Sequence, residues 1–311
     1  MPAVEISNVT KNFDQVTAVD GLSLSVPEGS VYGFIGPNGS GKSTTMRMIA
    51  NIIHPDSGDI RVFGQAPGLQ KLGYLPEERG VYRKMQVRAL LEFHAKLRGG
   101  RDVTPQINAW LDRLGLAAFA QSKVETLSKG MSQKVQFIAT VVPEPKLLIL
   151  DEPFTGLDPV SADSIRGAIL EMRSRGCTVI LSTHDMNVAG SLCDAIFMIF
   201  RGKKVLDGTL DEIQSSYGSD TIRVEIEGRV EVEGGRGALN NLPGIEKIND
   251  LGQVQELRMG PGCDPQRVLE ALVARSRIVS FSVVKPSLHD IFVRIAGPQP
   301  EEAVGVNEAT A

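Results

Sequence analysis

The stretch Gly36-Pro37-Asn38-Gly39-Ser40-Gly41-Lys42-Ser43-Thr44 decides the fold of this chain. It follows the apolar run Val31-Tyr32-Gly33-Phe34-Ile35 and precedes the helix-like run Thr45-Met46-Arg47-Met48-Ile49-Ala50. A glycine-rich turn is thereby set between a buried strand and a helix N-terminus, where free backbone N–H groups and the helix dipole favour a polyphosphate. Glycine is needed there because a Cβ would hold the backbone away from the phosphates. In such a cradle the Lys42 ammonium reaches the β/γ-phosphates and the Ser43 hydroxyl ligates Mg²⁺, with Gly36, Asn38, Gly39, Ser40, Gly41, Thr44 and Thr45 completing the binding segment.

Downstream, Leu147-Leu148-Ile149-Leu150 is an apolar strand that ends in Asp151 and Glu152. Both carboxylates are expected at the C-terminal edge of a sheet, where α/β proteins bind ligands. Alternation along the strand would send them to different sides, Asp151 toward Mg²⁺ and Glu152 toward the γ-phosphate to polarise a water.

The surrounding pattern is α/β. Residues 4–9 and 22–26 alternate like antiparallel strands that lead into the phosphate-binding turn. From 86 to 142 the apolar spacing becomes helical, in Val87, Leu90, Leu91, His94 and Leu97 and again in Ile107, Trp110, Leu111 and Leu114, which predicts a helical insertion. Residues 147–150 and 178–182 return as buried parallel strands joined by a helix over 161–175. The first domain is expected to span 1–217.

A second, small α+β domain is expected over 218–297. Strands at 221–227, 245–250, 254–259 and 278–284, with helices near Ala238 and at 265–275, give the order βαββαβ of a ferredoxin-like fold. A helix over 287–296, capped by Ser287, closes it, and 298–311 reads as a disordered tail.

With 311 residues and a net charge of −4, the chain has room for a substantial core and carries no broad basic footprint for nucleic acid. Three scattered cysteines suit neither a disulfide framework nor a zinc site and fit free thiols in a reducing cytosol. No run approaches the roughly 20 apolar residues of a membrane span, and no basic-then-apolar leader is expected at the start. Action at a membrane would need spanning helices supplied by a partner.

Together with the segments downstream of them, the paired carboxylates resemble the ATP-binding cassette (ABC) family over residues 3–215. The resemblance implies an Mg²⁺-dependent ATPase. Pro153-Phe154-Thr155-Gly156-Leu157-Asp158-Pro159 is similar to the family's D-loop, which implies that Asp158 contacts an opposite subunit. His184, in Leu181-Ser182-Thr183-His184-Asp185, matches the switch histidine that touches the γ-phosphate. Phe13, in Lys11-Asn12-Phe13, falls where the family stacks an aromatic on adenine; a core phenylalanine is the alternative.

The signature loop, usually LSGGQ, reads Leu127-Ser128-Lys129-Gly130-Met131. Ser128 and Gly130 keep the hydroxyl and the open backbone suited to a γ-phosphate, while Lys129 and Met131 depart from the pattern. Glu77, in Gly73-Tyr74-Leu75-Pro76-Glu77-Glu78-Arg79-Gly80, stands where the family carries glutamine. It is implied to ligate Mg²⁺ beside the attacking water, with Glu152 on the same metal. Arg79, Arg83, Lys84 and Arg88 come next, at the segment implied to face the membrane subunits, unless they form an ordinary solvated face.

In this family each ATP is sandwiched between the phosphate-binding loop of one copy and the signature loop of another. The expected partners are therefore a second cassette and polytopic permease subunits, on the cytoplasmic face of a membrane. The segments GYLPEERG, LSKGM and LDEPFTGLDPV, with Lys285-Pro286-Ser287-Leu288-His289-Asp290-Ile291-Phe292, resemble the export-type branch that includes sodium-extrusion and drug-resistance ATPases. The alternative is a soluble cassette acting on a ribosome or nucleic acid. Against it stand a single phosphate-binding loop and the absence of a heptad run or basic face.

Overall fold

The computed structural model describes residues 2–68, 72–77, 80, 82–97, 103–217, 220–227, 239, 241–250 and 252–297. They fall into two compact units that divide between Leu210 and Asp211. The expected helix near Ala238, Arg79 of the basic cluster and the tail 298–311 lie outside the described residues.

In the first unit, β1 (Pro2–Phe13) and β2 (Val16–Pro27) run well past the 4–9 and 22–26 read from alternation. Asp14 takes a left-handed φ of 48°, which lets a two-residue turn carry the pairing from Phe13↔Val16 back to Pro2↔Pro27. After β3 (Val31–Ile35) and α1 (Lys42–Ile49), β4 (Ser57–Val62) adds to the other edge of β1, giving a three-stranded antiparallel sheet.

The second sheet contains β5 (Leu72–Leu75), β6 (Leu147–Leu150), β7 (Thr178–Thr183), β8 (Ala195–Phe200) and β9 (Lys203–Gly208) together with β3, in the order β5-β6-β7-β3-β8-β9. All neighbours are parallel except β8 and β9. β3, β6 and β7 are buried along their whole length, because both faces of the sheet are covered. Tyr32, Phe34, Leu147, Ile149 and Ile180 pack toward α1 and the antiparallel sheet. Val31, Leu148, Leu150, Val179 and Leu181 pack toward the helices on the opposite face.

Those helices include α2 (Val87–Lys96), α3 (Thr104–Arg113) and α4 (Lys129–Val141), with single 3-10 turns at Ala117–Phe119 and Val124–Thr126. The residues whose spacing predicted an insertion are buried, except His94, which is half-buried, and Leu97, which lies past the last turn of α2 and is 68% exposed. α5 (Pro159–Ser174) starts two residues before position 161 because Asp158 caps it, accepting from Ser161 N at 2.9 Å, with Pro159 as its first residue. α6 (Met186–Leu192) connects β7 to β8.

The second unit starts with α7 (Leu210–Ser216), whose Leu210 falls at the division. This helix is tied inside the unit: Lys285 Nζ donates to Asp211 Oδ1 at 2.5 Å, and Gln214 Nε2 donates to Pro286 O at 2.9 Å. β10 (Thr221–Ile226), β11 (Ile245–Asp250), β12 (Val254–Met259) and β13 (Ile278–Val284) form an antiparallel sheet in the order β11-β12-β10-β13. That is the strand order of the expected βαββαβ arrangement. α8 (Pro265–Val273) packs on it through Val268 and Leu272. α9 (Leu288–Ala296) opens with a capping box in which the Ser287 and Asp290 side chains each serve the other's backbone N–H.

All three cysteines are free. Burial pushes the Cys177 and Cys193 thiols up to about 12, so both stay protonated at neutral pH. Iodoacetamide at pH 8 is expected to leave these two unmodified in the native protein and to label them after denaturation, as read by peptide mass spectrometry.

Candidate functional site: a phosphate cleft at the end of the parallel sheet

β3, β6 and β7 are neighbours in register and point the same way, so their C-terminal ends deliver the glycine-rich turn, the paired carboxylates and His184 to one edge. The turn is possible only with glycine at its closest approaches. At Gly36 (φ 154°) a Cβ would collide with the Ile199 carbonyl, and at Gly41 (φ 112°) with the Ala18 carbonyl. α1 begins immediately after Gly41, so its unpaired N–H groups open into a cleft of ≈ 300 Å³.

Asn38, Gly39, Gly41, Lys42, Ser43, Thr44, Glu77 and Glu152 line that cleft, together with Ala18. Lys42 is buried, and its ammonium donates to Gly36 O at 2.7 Å and Pro37 O at 3.0 Å, across the turn. Burial lowers its pKa, and the charges of Glu152, Asp151 and Glu77 pull it back up. Thr45 does not face the cleft: it is fully buried and donates to Gly41 O at 2.9 Å, bracing the turn from behind.

Asp151 is 1% exposed. Its Oδ1 accepts from Ser182 Oγ at 2.6 Å and from Ser43 Oγ at 3.1 Å, whereas Oδ2 is buried with no protein partner. An orphaned carboxylate oxygen beside the Ser43 hydroxyl fits a Mg²⁺ ion that arrives with a triphosphate, since Mg²⁺ sites use one or two carboxylates plus substrate phosphates. Among the described residues, no cluster of three His, Cys, Asp or Glu side chains could hold a metal independently.

Glu152 does not continue the strand alternation expected for it. Its φ is 48°, a left-handed conformation rare outside glycine, and this bend aims the carboxylate at the cleft. Both carboxylate oxygens are held: His184 Nδ1 lies 3.0 Å from Oε1, and Thr155 Oγ1 donates to Oε2 at 3.1 Å. The backbone N–H of Glu152 donates to Ser182 Oγ at 2.8 Å.

Ser128, Gly130 and Asp158 gather away from the cleft. Ser128 caps α4, accepting from Met131 N at 3.2 Å, and Gly130 sits in the first turn. A Cβ on Gly130 would fall 3.5 Å from Asp158 Oδ2, so the signature segment and Asp158 share one patch where α4 and α5 begin. Lys129 lies over Gly156 in that patch, and Gln133 Nε2 donates to the Pro153 carbonyl.

Phe13 is 47% exposed and faces Val16, itself 66% exposed, across the hairpin. It is therefore no core phenylalanine. Two positions along β2 from Val16 stands Ala18, which lines the cleft, so β2 carries a track from the exposed aromatic to the phosphate turn.

Ser182, Thr155 and Val16 were not foreseen as site residues. Ser182 had a signal, being a hydroxyl in a fully buried strand two residues before His184. Thr155 and Val16 show their roles only through turn and hairpin geometry.

Known proteins divide along the same line. The ABC transporter family model matches residues 19–155, and the C-terminal domain of ATP-binding protein DrrA1-3-like matches 208–296. The uncharacterized ABC transporter ATP-binding protein YhaQ of Bacillus subtilis is 36% identical over 297 residues, covering 94% of this chain and 98% of that protein. The daunorubicin/doxorubicin resistance ATP-binding protein DrrA of Streptomyces peucetius is 32% identical, covering 95% and 92%. Among solved structures, an ATP binding subunit of an ABC transporter superposes with a TM-score of 0.66 at 28% identity, covering 70% of this chain and 93% of that one.

Ser182→Ala is expected to leave the Glu152 N–H and one Asp151 contact unmet in a buried setting. The cost should be about 1–3 kcal/mol in denaturant unfolding, with a parallel fall in ATP hydrolysis.

Proposed function

The chain belongs to the ATP-binding proteins of ABC transporters and is an ATP-hydrolysing subunit of that kind, and we propose that it drives export through separate permease subunits by ATP-dependent closure of two cassettes. One observation carries this reading. The described cleft holds Lys42, Ser43, Glu77 and Glu152, while Ser128, Gly130 and Asp158 gather in a separate patch of the same unit. A second copy, or a related cassette, would bring its patch over the first copy's cleft and complete each site.

Within the closed site, Lys42 and the N–H groups at the start of α1 hold the β/γ-phosphates. The Ser128 hydroxyl and the backbone at Gly130 come from the partner. Glu152 accepts the proton of the attacking water, its carboxylate oriented by Thr155 and His184. Asp158 contacts the opposite subunit. Ser43, Asp151 and Glu77 would hold Mg²⁺, which would supply charge neutralisation for the phosphates. Phe13 stacks on adenine.

Relatives named for daunorubicin/doxorubicin and linearmycin resistance, together with the DrrA-like C-terminal match, support export as the direction. They favour a transporter role over a soluble cassette on a ribosome or nucleic acid. No helix among the described residues is long and apolar enough to cross a membrane. On this reading the membrane path belongs to polytopic partners, with this chain peripheral on the cytoplasmic side and no nucleic-acid ligand. Arg83 and Lys84, both exposed at the start of the helical insertion, suit the neighbourhood of an anionic lipid surface.

Glu152→Gln is expected to lower ATP hydrolysis by about a hundredfold or more while keeping ATP binding. In light scattering, this variant with Mg²⁺ and ATP should show twice the monomer mass; a monomer at saturating ATP would defeat the two-cassette reading. Glu77→Gln should keep measurable hydrolysis in a phosphate-release assay, because the amide still offers an oxygen to the metal. Complete loss would show that the negative charge is required.

A further inference from the structure

The base platform has a built support beneath it. Lys11 and Phe13 stand two residues apart on β1, with a register shift between Lys11 and Asn12, and their side chains meet. The Lys11 ammonium lies over the Phe13 ring, 5.4 Å from its centroid. It is held there by Asp56, whose Oδ1 accepts from Lys11 Nζ at 2.7 Å and whose Oδ2 accepts from Asn12 N at 2.7 Å. The Lys11 side chain is only 17% exposed although the ring above it is 47% exposed. Lys11 and Asn12 hold the Asp56 carboxyl below its usual range, so the anchor stays charged at neutral pH.

A cation on one face of an aromatic ring draws π-density toward itself. The opposite face becomes electron-poor and stacks better on an electron-rich base. Phenylalanine has no hydrogen-bonding group with which to read a base edge, so at this position any preference among bases must come from stacking.

We infer that Lys11 is a positioning and base-selecting residue: anchored by Asp56, it fixes the Phe13 ring and polarises it so that the platform favours adenine over a pyrimidine. The inference rests on Phe13 being the base platform. Lys11 is assigned an action through the ring rather than on the nucleotide, since its contacts run to Phe13 and Asp56.

The test compares binding of ATP, CTP and inorganic tripolyphosphate to the full chain by isothermal titration. Lys11→Met is expected to weaken ATP about threefold, to narrow the ratio of ATP to CTP affinity, and to leave tripolyphosphate binding unchanged. Lys11→Arg, which keeps a cation over the ring, should restore both ATP affinity and the ratio. Equal loss of ATP and tripolyphosphate would overturn the inference, because it would make Lys11 a general attractor of phosphate. No change in ATP affinity or in the ratio would overturn it as well. If Lys11→Met fails to fold, Lys11→Gln serves as the second variant, judged on the same ratio. Phe13→Ala separates the two levels. Unchanged ATP affinity in that variant removes the platform itself, whereas a loss in Phe13→Ala without one in Lys11→Met removes only the role given to Lys11.

Discussion

A carboxylate withdrawn from water governs the geometry of the first unit. Asp151 is almost wholly buried, and a buried charge is tolerable only when its oxygens are met by donors or a cation. Ser182 and Ser43 meet one oxygen, from β7 and from the start of α1. Those two contacts pull three successive pieces of the sheet edge together: the end of β6, the body of β7 and the turn after β3. The second oxygen is buried and makes no hydrogen bond to protein. The same Ser182 hydroxyl also receives the N–H of Glu152, so one residue steadies the Asp151 carboxylate and fixes the backbone of Glu152. One hydroxyl thus couples the placement of two carboxylates.

Much of this could be read from the residues. The phosphate turn, the two carboxylates and His184 were legible because each is a short run whose chemistry is fixed by its neighbours. The parallel strands were legible as continuous apolar runs, since burial on both faces leaves no alternation to misread. The antiparallel strands were underestimated because their outer halves carry polar residues such as Asn12, Thr17 and Asp20, and β-pairing there is sustained by a tight turn rather than by hydrophobic contrast. Leu97 fitted the helical spacing but lies beyond the helix end, which spacing alone does not mark.

The site residues divide in the same manner. Strand alternation was a fair expectation for Asp151 and Glu152, yet the left-handed backbone at Glu152 sets its direction instead. Thr155 holds Glu152 across a turn, and Val16 meets Phe13 across a hairpin; both depend on local backbone shape that no residue pattern announces. Thr45 shows the converse. It sits inside the motif, but its hydroxyl is spent on the turn's own carbonyl.

The two ends of the nucleotide would therefore rest on ground of unequal firmness. Asp151 and Glu152 directly follow a strand sealed between two apolar layers, and Ser182, which meets both, lies within another, so this part of the site is tied to the sheet itself. Loss of hydrolysis on heating should then coincide with cooperative melting of the unit. The hairpin tip bearing Phe13 has no such enclosure. What steadies it is local, the pairing of Phe13 with Val16 and the hold of Asp56 on Lys11 and Asn12, so a base resting there would depend on a support separate from the one beneath the phosphates.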